Sequence, residues 1–262
     1  MKKVLITGGS RGMGKCIAKE LSENGYDVIA TCRDPKTVKN PLPGVQYEAL
    51  DLMQPASIDE LKQRVGAIDI LINNAGQSQI GSLEETPMEK FRDLFEINVF
   101  GLIKMTQAFV GQMREKKEGL VINIGSLTGK FPLPYYSSYC GTKYAVEGIS
   151  QSLRNEMKDF NVKVVLLDPN DIKTTITPEF LCSESSSYFP FASKVRDLVK
   201  NKMSKANPPE VISDAVLKIV NSKNPKPIYN VGGNAKMLVF LKNIVTTSFL
   251  HKSIRKSYGL KN

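Results

Sequence analysis

The chain has 262 residues, of which 41% are hydrophobic and 24% charged, the balance of a globular protein with a buried core rather than a disordered or fibrous one. Four scattered cysteines (Cys16, Cys32, Cys140, Cys182) without a C-x-x-C pair, and a single histidine, His251, argue against a zinc site, a disulfide framework and a histidine-based triad, and suit a reducing cytosol. The net charge of +10 is uneven: residues 1–214 hold 27 of the 36 basic residues and all 26 acidic ones, whereas residues 215–262 hold nine basic residues and no acid. A neutral body with a cationic tail argues against a nucleic-acid surface spread over the fold.

The opening MKKVLITGG places two lysines before a short apolar run, but glycines end that run long before the 7–15 residues of a signal-peptide core. No uncharged apolar run approaches the ~20 residues that span a bilayer. The expectation is a cytoplasmic protein, soluble or peripheral to a membrane.

In chain order, VLIT (4–7) reads as a strand and is followed by a helical pattern from Gly12 to Asn24. YDVIATC (26–32) and VQYEAL (45–50) are the next strands, and Ser57-Ile58-Asp59-Glu60 has the capping-box form that opens a helix. IDILIN (68–73) precedes a long helix from about Pro87 to Glu115, and LVINIGS (120–126) precedes one from about Ser137 to Phe160. VKVVLLD (162–168) and IYNV (228–231) complete the strands. Most are continuously apolar, as in a parallel sheet covered on both faces. The alternation predicts a single-domain α/β fold, a Rossmann-like doubly wound parallel sheet with helices on both faces. Residues 170–208 read as a long loop beyond a strand's carboxyl end, where ligands bind in such sheets, and are assigned as a substrate loop. Residues 233–262 form a basic C-terminal extension.

Two local patterns carry chemistry. TGGSRGMG (7–14) joins the first strand to the first helix with the spacing G-x-x-x-G-x-G, from Gly8, Gly12 and Gly14. Glycines there permit a tight turn and let a pyrophosphate approach the backbone at a helix N-terminus. In YSSYCGTKYAVEG (136–148), Tyr139 and Lys143 are four residues apart on one helix face. A phenol with a pKa of ~10 is about three units too high for a base near neutrality, or ~4 kcal/mol. An ammonium at ~4 Å supplies about that much at an effective dielectric of ~20, and the helix N-terminus adds to it. The competing reading is that Lys143 pairs with Glu147 on a solvated face, which is worth only a few tenths of a kcal/mol.

The glycine loop, Asn73-Asn74-Ala75-Gly76 after the fourth strand, and the Tyr139/Lys143 pair together resemble the short-chain dehydrogenase/reductase family over about residues 3 to 232. The resemblance implies that Ser126 holds the substrate oxygen, Tyr139 exchanges its proton, Lys143 serves tyrosine and nicotinamide ribose, and Asn98 completes a relay to water. It implies cofactor contacts from Gly8, Ser10, Arg11, Gly12, Met13, Gly14, Arg33, Asp51, Leu52, Asn74, Ala75, Gly76, Asn98, Tyr139, Lys143, Pro169, Ile172 and Thr174. It also implies pairing of copies through the two long helices. One segment departs: Asn170 stands where the family commonly has glycine after proline, and asparagine tolerates a positive φ there.

Which dinucleotide is used turns on the second strand's tip. It ends Ala30-Thr31-Cys32-Arg33, with no acid for a ribose 2′-hydroxyl. Arg33 and Arg11 suit a 2′-phosphate, so NADP(H) is expected; Asp34 is the rival, as a late NAD-type acid or a restraint on Arg33. The activity expected is hydride transfer between NADP(H) and an apolar ketone, aldehyde or secondary alcohol. An oxoacyl thioester reductase and a non-catalytic NADP-binding regulator are the alternatives. Cys140 reads as a small packing residue; Phe180, Tyr188, Phe189 and Phe191 read equally as pocket lining or core. The tail remains open between a packed helix with solvated lysines, a lid, and a membrane contact.

Overall fold

The computed structural model describes residues 1–174 and 176–261; Thr175, within the expected substrate loop, and Asn262, within the extension, lie outside the described residues. Seven strands form one parallel sheet: β1 (Lys3–Ile6), β2 (Asp27–Cys32), β3 (Val45–Ala49), β4 (Ile70–Asn73), β6 (Gly119–Ile124), β7 (Val162–Pro169) and β9 (Ile228–Val231), in the order β3-β2-β1-β4-β6-β7-β9. The chain runs outward from β1 to β3, then returns to place β4 on the other side of β1. That reversal opens a crevice at the carboxyl ends of β1 and β4.

Alternate residues of each strand serve opposite faces. Val4 and Ile6 join Ile17, Ala18 and Leu21 of α1 (Gly12–Glu23) and Ile212, Val216 and Ile219 of α7 (Glu210–Val220). Leu5 points the other way, into a cluster with α2 (Pro55–Val65) and with Met105, Phe109 and Met113 of α4 (Gly101–Lys116). Helix α5 (Ser137–Met157) packs beside α4 through Val146, Val99 and Leu102.

Four local expectations differ. The helix expected from Ser57 starts at Pro55, and Ser57 Oγ instead accepts a hydrogen bond from Asp51 N at 3.0 Å. Proline at the first helical position is favoured because its missing N–H is one that no helix satisfies. The long helix is α3 (Met88–Phe95), a π-helical turn at Glu96–Phe100, then α4. Residues 170–208 are far from a bare loop: β8 (Glu179–Phe180) pairs in parallel with β5 (Gln79–Ile80), and α6 spans Phe189–Ser204. Two phenylalanines and a proline at the start of α6 masked its periodicity. The left-handed residue after β7 is Asp171, at φ 48°, not Asn170. Asn170 N donates to Val231 O at 2.8 Å, so its backbone is engaged by the neighbouring strand end.

The tail folds into α8 (Ala235–Lys242) and α9 (Thr247–Ser257). Leu250, Ile254 and Tyr258, at helical four-residue spacing, face a cluster with Ile80, Tyr136, Cys140 and Val195. Among the described residues no helix is long and apolar enough to cross a membrane.

Candidate active site

The crevice between β1 and β4 opens into a cleft of about 900 Å³. Its floor is the glycine loop. Gly8 and Gly12 have φ of +68° and +54°, a region that side chains rarely adopt. A Cβ on Gly14 would collide with Gly8 O, and one on Gly8 would press on Ala75. Helix α1 begins without a side-chain cap and without an acid in its first turn, which leaves its first N–H groups free for an anion. Thr7 Oγ1 accepts from the backbone N of Asn74 and Ala75 at 2.9 and 3.0 Å, and Asn74 Nδ2 donates to Thr7 O at 2.9 Å. The two loops are thereby locked side by side. Chain reversals with backbone this close suit a dinucleotide, and the residues present fit one.

Of the expected cofactor residues, Gly8, Ser10, Arg11, Gly12, Met13, Gly14, Arg33, Asp51, Leu52, Asn74, Ala75, Gly76 and Thr174 line this cleft. Lys15, Thr31, Cys32 and Lys39 line it too and were missed; only their place at strand and helix ends distinguishes them in sequence. Asp34 does not restrain Arg33. Its Oδ1 accepts from Lys36 N at 2.9 Å and caps the short 3-10 turn Pro35–Thr37. Asp34 lines the cleft as well, with one carboxylate oxygen held as a turn cap, and Arg11, Lys15, Arg33 and Lys39 bring four cations to the same space.

A second cavity, of about 200 Å³, contains Ser126, Tyr139, Pro169, Ile172 and Thr174. Met13 and Thr174 line both spaces, so the two adjoin. Ser126 follows β6 and caps a 3-10 turn, its Oγ accepting from Thr128 N at 3.2 Å. Tyr139 lies in the first turn of α5. Lys143 is buried, donates from Nζ to Ile124 O at 3.0 Å, and lies 5.8 Å from the centre of the Tyr139 ring. Helix and strand end are joined by that lysine. Glu147 is not its partner: Glu147 pairs with Lys130 at 2.8 Å, and Lys130 also pairs with Asp168 at 2.6 Å. The surface-pair reading of Lys143 therefore fails on geometry.

Burial lifts the Tyr139 phenol to about 12, opposed by the neighbouring hydroxyls of Ser126 and Thr128, with Cys140 adding to the rise. The same burial lowers Lys143 to about 8, opposed by the Asp168 carboxylate. The drop of the phenol toward neutrality expected from the four-residue spacing is not found, because burial is the largest influence on it.

Asn98 sits in the π-helical turn, and its amide hydrogens go to Gln77 O at 2.9 Å and Thr142 Oγ1 at 3.1 Å. Its Oδ1 accepts from Gln77 N at 2.8 Å. Its side chain clamps the segment beyond Gly76 and leaves no amide hydrogen for a water. Cys140 is buried and burial pushes its thiol up to about 11, which suits packing rather than nucleophilic use. Phe180 and Tyr136 pack in the cluster beneath α9; Phe191 is exposed, and Tyr188 Oη donates to Glu84 at 2.6 Å. The cavity is completed by Val199, Lys202 and Met203 of α6 and by Tyr258, none of which the sequence singled out.

A seven-stranded parallel sheet with this crevice and a Ser–Tyr–Lys constellation defines a dinucleotide-dependent oxidoreductase architecture. Residues 2–183 match the family described as short chain dehydrogenase, and the chain belongs to that family. It is 32% identical to a 3-ketodihydrosphingosine reductase of Bacteroides thetaiotaomicron, over 92% of this chain and 91% of that one. An uncharacterized oxidoreductase of Bacillus subtilis is 29% identical over 97% and 98% of the two chains. Among solved structures, a short-chain dehydrogenase from Streptomyces avermitilis superposes with a TM-score of 0.81 at 28% identity, covering 98% of this chain and 97% of that one. A serine dehydrogenase complexed with NADP+ gives a TM-score of 0.71 at 26% identity, over 87% and 93% of the chains.

Proposed function

We propose that the protein is an NADP(H)-dependent reductase of a ketone or aldehyde set in an apolar chain. The observation that carries this reading is the continuity of two unlike spaces: a four-cation cleft, and an apolar cavity closing on Ser126 and Tyr139. NADP is supported by Arg11 and Arg33, which with Lys15 and Lys39 give the cleft more cations than its two acids, Asp34 and Asp51. The assignment draws further support from the NADP+ complex of the related serine dehydrogenase.

A bound dihydronicotinamide supplies the hydride. The chain's own residues position the carbonyl and move a proton. Ser126 Oγ faces the same cavity as Tyr139 and is the donor that holds the carbonyl oxygen. Tyr139, raised to about 12, is fully protonated at neutral pH and delivers its proton to the oxygen as negative charge develops. Lys143, whose Nζ lies 5.8 Å from the centre of the Tyr139 ring, then offsets the phenolate's charge in a buried site.

The cavity wall is mostly apolar, with Leu133, Tyr136, Ile172, Val199, Met203 and Tyr258, and carries charge at Asp171 and Lys202. At about 200 Å³ it holds the reacting segment, and the remainder of a long substrate lies along the rim made by α6 and α9. A lipid ketone with a polar end meets these demands. The 3-ketodihydrosphingosine reductase relative is in keeping with that class. The test is NADPH absorbance with a carbonyl panel of long-chain ketones, fatty aldehydes, steroids, diketones and oxoacyl thioesters. Faster turnover of a long-chain ketone or aldehyde with NADPH than with NADH is expected. Preference for NADH, or for a small polar carbonyl, overturns the reading.

A further inference from the structure

Exposed apolar side chains are concentrated in one stretch of the chain. Among the described residues, six of the thirteen exposed large hydrophobics fall between residues 237 and 249: Met237, Leu238, Phe240, Leu241, Ile244 and Phe249. Phe240, Ile244 and Phe249 are 65%, 64% and 60% exposed, values normal for lysine but not for three such side chains together. The sequence of α8, AKMLVFLK, is apolar around most of its circumference, yet only Ala235 is buried. A helix of this composition is stable in water only with a partner.

The charged side chains of the tail are of one sign. Lys236 and Lys242 bracket α8, while Lys252 and Lys256 lie exposed on α9. None of these four lysines forms an ion pair among the described residues, and no acid follows Asp214. We propose that α8 and the outer face of α9 dock on an anionic lipid bilayer, with the apolar side chains entering the interface and the lysines engaging headgroups. A second copy of the chain is the weaker occupant. Symmetric pairing would set two acid-free tails face to face.

The placement gives the docking a purpose. Helix α9 is two-sided: Phe249, Lys252 and Lys256 are exposed, whereas Leu250, Ile254 and Tyr258 pack inward, and Tyr258 lines the catalytic cavity. One helix therefore touches lipid on its outside and the substrate's rim on its inside. This delivery role rests on the lipophilic-carbonyl reading above; the docking does not.

The full-length protein is sedimented with vesicles of phosphatidylcholine alone and with added phosphatidylserine, at low and high salt. Binding is expected to phosphatidylserine vesicles at low salt and to fall at least about tenfold on removing the anionic lipid. The variant F240S/I244S/F249S, which alters no residue of the cavity or cleft, is expected to lose binding at least about tenfold while keeping its melting temperature and its turnover of a water-soluble carbonyl. The charge variant K236E/K242E tests the electrostatic half separately and is expected to lose salt-sensitive binding. Wild-type protein that stays in the supernatant, or a triple variant that sediments like wild type, overturns the proposal. So does a wild-type dimer in analytical ultracentrifugation that the triple variant abolishes, since the second copy would then cover the patch. Failure to reduce any carbonyl would remove the enzymatic reading and leave the sedimentation result standing.

Discussion

Replacing Lys130 by methionine is the most demanding test of how the site is held. Lys130 pairs with Asp168 at 2.6 Å and Glu147 at 2.8 Å; the side-chain exposures of Lys130 and Asp168 are 7% and 2%. The pair ties the end of β7 to α5 just behind Ser126, and a Cβ on Gly125 would collide with Asp168 Oδ1. Removing one partner of a buried ion pair costs about 3–5 kcal/mol, and here two carboxylates are left facing each other. At about 2 °C per kcal/mol for a chain of this length, the melting temperature should fall by roughly 6–10 °C. A second consequence has a definite sign. Burial raises the Asp168 carboxyl and Lys130 is the main influence opposing that rise, so without Lys130 the carboxyl moves further up and its negative charge is less well held. Asp168 is what opposes the lowering of Lys143, so Lys143 moves below about 8. If reduction needs the Lys143 cation, kcat/KM falls as pH rises through about 8, and in the variant that limb moves to lower pH. Differential scanning fluorimetry and a pH profile of kcat/KM measure the two effects. K130R, which keeps the cation, should restore most of both. A methionine variant that melts within about 1 °C of wild type, or whose alkaline limb does not move, would refute the reasoning.

Tyr139→Phe should abolish turnover and leave NADPH affinity nearly unchanged, as read by fluorescence titration, because only the cavity-facing proton is lost. Arg33→Ala should weaken NADPH by about 1.5–3 kcal/mol, the range of a hydrogen bond to a charged group, and leave NADH almost unaffected in isothermal titration calorimetry; equal loss for both would mean Arg33 does not meet the 2′-phosphate. Gly14→Ala should cost about 1–3 kcal/mol of stability through the forced collision with Gly8 O. It should also weaken dinucleotide binding at least about tenfold.

The sheet was legible because a parallel strand buried on both faces leaves an unbroken apolar run, and such runs end near Ile6, Cys32, Asn73, Ile124 and Pro169. Helix α6 was not. It opens Phe-Pro-Phe after a run of four serines interrupted by one glutamate, and serines, proline and aromatics at a helix start read as loop when no packing partner is known. The π-helical turn at Glu96–Phe100 was hidden for a different reason. Its sequence keeps helical periodicity, and what widens the turn is tertiary: Asn98 turned to hold both backbone groups of Gln77.

That Tyr139 and Lys143 share a helix face was legible from their spacing, but the pair's electrostatics was not. Four-residue separation places Lys143 beneath Tyr139 wherever the helix lies. Whether the lysine acts as a bare charge depends on what surrounds it, and three buried partners from distant segments decide that: Ile124 O accepts a hydrogen bond from it, Asp168 sustains its charge, and Lys130 sustains Asp168. Glu147, four residues after Lys143 on the same helix, was the natural local partner and is drawn away by Lys130. Local pairing worth a few tenths of a kcal/mol loses to a buried ion pair whose rupture costs several. The consequence is a tyrosine that burial keeps protonated near neutrality, beside a lysine at about 8 whose charge depends on partners that no local spacing reveals.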